Sequence, residues 1–129
     1  MIKIFRMVFS LLALCFGAGS LPAQKYPPPF PREAARMLFE NDRVRVWEMR
    51  LEPGADSDLH RHDLDYVLVQ IGGDRIAGVF EDDTAGEYRG VVEADVVPGQ
   101  ALYLEKGGVE TARNTGTKPY YEILIELKD

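Results

Sequence analysis

From Pro53 to Gly73 the chain reads PGADSDLHRHDLDYVLVQIGG. Pro53-Gly54 is a turn signal, and Gly72-Gly73 is another. Between them, Tyr66 to Ile71 (YVLVQI) has the β-branched and aromatic content of a strand. Just before it stand His60 and His62, the two histidines of the whole chain. In extended backbone, residues i and i+2 share a face, so an H-x-H pair directs two imidazoles into one space. That is a two-point chelate for a transition metal, or else two polar side chains near a turn.

Outward from this segment the pattern is β throughout. Arg43 to Leu51 (RVRVWEMRL) alternates on Val44 and Val46, then switches phase to Trp47, Met49 and Leu51, as a bulge or a strand covered on both faces would require. Strands follow at Arg75–Phe80, within Glu87–Val97, at Ala101–Leu104, at Val109–Arg113 and at Tyr120–Leu127, the last with Tyr121, Ile123, Ile125 and Leu127 on one face. Gly/Pro/Asp turns separate them, among them the acidic loop Glu81–Gly86, which reads as a solvated turn because it lacks the acidic spacing of a calcium loop. Short strands at regular spacing predict an all-β sandwich or barrel over residues 41–129. Upstream, Lys25 to Pro31 (KYPPPFP) predicts an extended tether, and Glu33 to Glu40 (EAARMLFE) a short helix.

The N-terminus has the form of a secretory signal: Lys3 and Arg6, then the apolar run Met7–Ala18, then small residues up to Ala23. The run is too short to span a bilayer, so the expectation is a signal peptide over 1–23, a secreted or periplasmic product, and no membrane attachment after cleavage. An uncleaved anchor and lipidation at Cys15 are weaker readings, since Leu14 stands where a small residue is wanted. Cleavage removes the single cysteine, and with it any disulfide or thiol chemistry.

The net charge of −6 becomes more negative once Lys3 and Arg6 are removed, and nucleic acid is excluded as a natural partner. No phosphate-binding glycine loop and no G-x-S-x-G nucleophile is present, and Ser57 has only a weak claim to a histidine base.

The spacing resembles the cupin superfamily. Pro53-Gly54, five residues, His60-Arg61-His62 and the later Gly72-Gly73 are similar to its first motif, and Pro98-Gly99, five residues, Glu105-Lys106-Gly107, two residues, Glu110, three residues, Asn114 to its second. The resemblance implies a jelly-roll β-barrel with a metal centre and a small-molecule ligand. It also implies a ligand set altered from the usual three histidines and one glutamate. Tyr66 stands where the motif-one glutamate falls, and Glu110 where the motif-two histidine falls. The metal set implied is His60, His62 and Glu110, for iron, manganese, zinc or nickel. Tyr66 is a further pocket candidate, as weak ligand or hydrogen-bond donor. Asp65 lies one residue out of phase, and would reach the site through a bulge or behind a ligand histidine. Glu110 also reads as a surface strand residue, Asn114 as a turn residue, and Trp47, Phe80, Tyr103 and Tyr121 as core. Two functions follow: a metal-binding cupin with dioxygenase- or isomerase-like chemistry, or a non-catalytic cupin that holds a small ligand or a partner protein without metal. A structural module with no pocket ranks behind both. Cupins often pair, and the last strand YYEILIEL offers apolar surface for a homodimer.

Overall fold

The computed structural model describes residues 25–26 and 35–129. The expected signal peptide over 1–23, and all of the expected proline-rich tether except Lys25 and Tyr26, fall outside the described residues. Nine strands follow: β1 (Ala35–Glu40), β2 (Val44–Leu51), β3 (His60–Arg61), β4 (Tyr66–Gly72), β5 (Arg75–Phe80), β6 (Gly90–Asp95), β7 (Ala101–Leu104), β8 (Val109–Arg113) and β9 (Tyr120–Leu127). All pairings between them are antiparallel. They form a five-stranded sheet, β1-β2-β9-β4-β7, and a four-stranded sheet, β3-β8-β5-β6. Among the described residues there is no helix, and so none long and apolar enough to cross a membrane.

The expected short helix before residue 41 is corrected: Ala35–Glu40 is an edge strand paired with β2. Its charges are placed for cross-strand contact. Arg36 lies opposite Glu48 and donates to it at 2.9 Å, and Glu40 lies opposite Arg45 at 3.0 Å. These cross-strand pairs are invisible to local periodicity. The bulge suggested by the phase switch in β2 sits in its partner, between Met37 and Phe39, while β2 runs against β9 without a break.

The cavity-facing side of the larger sheet is Met49 on β2, Tyr66, Leu68 and Gln70 on β4, Leu102 and Leu104 on β7, and Tyr120, Glu122 and Leu124 on β9. Register makes this consistent: Met49 lies opposite Glu122, and Glu122 opposite Gln70. The core gathers Met49, Leu51, Tyr66, Val96, Tyr120 and Leu124. β9 is thus central and paired on both edges, so it has no free edge to offer a partner. Its apolar residues Ile123 and Ile125 stand against Val46, Val67 and Val69 on the opposite face, while the inward face carries the buried Glu122 and Glu126. Glu126 is held by Trp47 Nε1 at 2.9 Å and Arg45 at 3.3 Å.

Two loops are fixed by buried polar side chains, one beyond each end of β8. Asn114, fully buried, donates from Nδ2 to the carbonyls of Leu51 and Lys118 and accepts from Gly116 N–H, each at 2.9 Å. It is the turn residue its sequence context predicts. The acidic loop Glu81–Gly86 is more than a solvated turn. Its Thr84 is buried, donates to the Val109 carbonyl at 2.9 Å and accepts from the Val109 N–H at 3.1 Å, which clamps the loop to β8. On its outer side Asp83 meets Lys25 and Tyr26.

Candidate metal centre and cavity

β3 and β8 place His60 directly opposite Glu110, so the two side chains share a face. His62 lies beyond β3, and its backbone is clamped: its N–H donates to Gly108 at 2.9 Å, and its carbonyl accepts from Gly107 N–H at 2.7 Å. Gly107 has φ +102°, and a Cβ there would stand 2.6 Å from that of Ala85, so both the turn and the close approach ask for glycine. This is the structural use of the second-motif glycine. Alternation then brings His62 to the same side as His60. Both imidazoles are 2 % exposed.

His60 Nδ1 lies 2.7 Å from the Asp58 carbonyl. A carbonyl only accepts, so Nδ1 carries the proton and Nε2 keeps its lone pair. His62 Nε2 is 3.2 Å from His60 Nε2 and 3.2 Å from Glu110 Oε1. Both neighbours are acceptors, so a hydrogen on His62 Nε2 is shared between them. Burial holds the His60 imidazole below its usual range, and the neighbouring His62 adds to this. The three ligand atoms lie within 4.8 Å of one another. With metal–ligand bonds near 2.0–2.2 Å, adjacent ligand atoms of a tetrahedral or octahedral shell stand about 3.0–3.5 Å apart. The two 3.2 Å separations match that spacing. Two imidazoles and one carboxylate suit zinc, iron, manganese or nickel, so the donor set fits a divalent metal.

Room for the Glu110 carboxylate comes from β5. An added Cβ at Gly78 would sit 2.7 Å from Glu110 Oε2 and 2.6 Å from the Phe80 ring. Glu110 is therefore a cavity residue and not a surface one, with a side chain only 14 % exposed.

Tyr66 lines the same cavity. Its ring stacks on His62 at 4.1 Å with an interplanar angle of 17°, which fixes the plane of that imidazole. Burial raises its phenol far above the usual range, so it stays protonated. Asp65 faces away, as strict alternation requires. Its carboxylate accepts from Tyr103 Oη at 2.7 Å and Lys106 N–H at 2.8 Å, and the cavity lining does not include it. Tyr103 is exposed at that contact and is not core, and Tyr121 packs under Arg50. Phe80 stacks on Tyr88 at the cavity wall. Ser57 Oγ is taken up by Ala112 N–H and the Asp58 carbonyl, and Arg113 by Asp56, so neither is available as nucleophile or ligand anchor.

The cavity measures about 640 Å³. Met49, Leu68, Ile76, Phe80, Leu102 and Leu124 supply much of its apolar wall. Sequence reading missed its second polar group, Glu122, with Tyr120 and Gln70. The one available signal was a glutamate alternating into the same face as Tyr120 and Leu124. Burial pushes the Glu122 carboxyl up to about 8, the Glu110 charge adding to the rise against the hydrogen bond from Tyr120.

No protein-family model matches the chain. The β-alanine degradation protein BauB of Pseudomonas aeruginosa is 36% identical over 81 residues, which is 62% of this chain and 76% of that protein. A cupin domain from Bordetella pertussis superposes with a TM-score of 0.63 at 24% identity, covering 82% of this chain and 99% of that one. The chain belongs to the cupin superfamily. Cupin-fold neighbours include enzymes: the polyketide cyclase RemF of Streptomyces resistomycificus superposes with a TM-score of 0.53 at 15% identity, over 74% of this chain and 64% of that one. In this cupin Glu110 lies on a strand directly paired with the histidine strand.

Proposed function

We propose that this cupin binds one divalent metal, iron, manganese, zinc or nickel, on His60, His62 and Glu110, with a small molecule in the cavity beside it. The observation that carries the reading is the convergence of His60 Nε2, His62 Nε2 and Glu110 Oε1 within 4.8 Å, at the wall of a cavity that can admit a ligand. When bound, the metal would supply Lewis-acid polarisation or oxygen activation, in isomerase- or dioxygenase-like chemistry. The protein's own part is defined by named groups. Asp58 holds the His60 tautomer, Tyr66 holds the His62 ring plane, and the apolar wall excludes water from the ligand.

The name of BauB places that protein in β-alanine degradation. The cavity here has room for roughly twenty waters of liquid volume. It is oversized for a six-heavy-atom amino acid, so the ligand we favour is larger and partly apolar. The secretory form of residues 1–23 supports a site that works outside the cytoplasm.

A second reading is a metal-free ligand-binding cupin. It is favoured by the hydrogen bonds that already join the three candidate ligands to one another. Thermal unfolding of the chelator-stripped protein with added zinc, manganese, nickel or ferrous ion separates the two. Metal at 100 times its Kd stabilises by about 2.7 kcal/mol, or several degrees in Tm. The rise should vanish in the His60→Ala/His62→Ala variant. A Tm indifferent to every metal supports the metal-free reading, and an equal rise in wild type and variant removes these residues from the site.

A further inference from the structure

A second polar anchor is built into the cavity, and a backbone group fixes its direction. Val97 N–H donates to Gln70 Oε1 at 3.0 Å. An N–H only donates, so the Gln70 amide is oriented with its oxygen toward Val97 and its NH₂ free for another partner. Tyr120 lines the same cavity face, and its hydroxyl donates to Glu122 Oε2 in a short contact. Glu122 Oε2 is thus committed as an acceptor. Any proton on this carboxyl belongs on Oε1, the oxygen not engaged by Tyr120. Gln70, Tyr120 and Glu122 are each 3 % exposed or less, and all three line the cavity.

Charge settles what the two anchors can hold. A divalent metal with Glu110 and two neutral imidazoles carries a net charge of +1, which one monoanionic oxygen ligand neutralises. Among the described lining residues, Lys106 is the one cationic side chain, and it is exposed at the rim. The deep end therefore offers no site for a second negative charge. It offers the Glu122 carboxyl, with Leu68, Met49 and Leu124 on the same sheet face around it.

We propose that Glu122, oriented by Tyr120 and Gln70, is a ligand-binding residue that donates a hydrogen bond to a neutral carbonyl oxygen of a small monoanionic oxo acid whose carboxylate end lies on the metal. The proposal rests on the metal reading above and adds the second contact point and the ligand class. Tyr120 and Gln70 are positioning residues. A buried neutral acid is the form consistent with the raised pKa of Glu122.

The test is calorimetric binding of matched acids to the zinc-loaded full chain: pentanoate against 4-oxopentanoate, and hexanoate against 5-oxohexanoate. One hydrogen bond from an otherwise buried donor should favour the better-fitting oxo acid by about tenfold over its partner. Glu122→Gln retains a donor and should keep most of that preference. Glu122→Met, and the Tyr120→Phe/Glu122→Met double variant that leaves no orphaned hydroxyl, should lose it while binding zinc as wild type does. Circular dichroism and zinc stoichiometry establish that the variants are folded and loaded. Where Glu122→Met fails to fold, Tyr120→Phe alone carries the test, since it should weaken the preference without altering zinc affinity. Intact zinc binding with no preference for either oxo acid in wild type, or a preference that survives these variants, overturns the second anchor and leaves the metal reading standing. A wild-type chain that takes up no zinc, manganese, nickel or ferrous ion overturns both.

Discussion

Replacing Glu122 with glutamine should change how stability depends on pH, in a direction and by an amount set by burial. The folded-state pKa of Glu122 is raised from 4.5 to about 8. A raised value means that folding favours the protonated form. The stability linked to it is fully present below pH 4.5 and is lost as pH rises through 8. Between those limits the loss is about 1.4 kcal/mol per unit, so the whole span approaches 5 kcal/mol. That is comparable with the full stability of a small domain, which is about 5–15 kcal/mol. Glutamine has the same shape, accepts the Tyr120 hydroxyl and never ionises. The two proteins should therefore have similar stability near pH 5, and Glu122→Gln should gain steadily up to pH 8 and level off beyond it. Glu40 and Asp74, both lowered to about 2, do not titrate in this window. His60 titrates in both proteins and largely cancels. The assay is urea unfolding at unit pH steps from 5 to 9 in chelator, with m-values checked for constancy. A stability difference that stays flat across that range refutes the claim that this carboxyl is buried and neutral.

Gly78→Ala puts a methyl group into the space of the Glu110 carboxylate and the Phe80 ring, and should weaken zinc binding by about tenfold, measured by competition with a chromophoric chelator, with little loss of fold. Asn114→Ala removes three hydrogen bonds of a fully buried side chain and leaves the Leu51 and Lys118 carbonyls short of a donor, so it should cost about 2–4 kcal/mol in urea unfolding while metal affinity per folded molecule is kept.

The histidine pair was legible because strand alternation is a local rule, and the barrel was legible because turn residues punctuate its strands. Glu110 was reachable only through the motif spacing. Its inward direction depends on pairing with His60, a contact 50 residues away in sequence. Residues 35–40 were misread as helical because their apolar positions fit either period, and the choice is made by Arg36–Glu48 and Glu40–Arg45 across the sheet. In β9 the alternation of Tyr121, Ile123, Ile125 and Leu127 was legible, but alternation alone does not say which face turns inward. The face turned toward the cavity is the one that carries Glu122.

Anomalous diffraction from crystals of the zinc-loaded chain, recorded on both sides of the zinc edge, tests the metal centre most directly. One peak should lie about 2.0–2.2 Å from His60 Nε2, His62 Nε2 and a Glu110 carboxylate oxygen together. Zinc bound elsewhere, or held by the histidines with Glu110 turned away, would contradict the three-residue site.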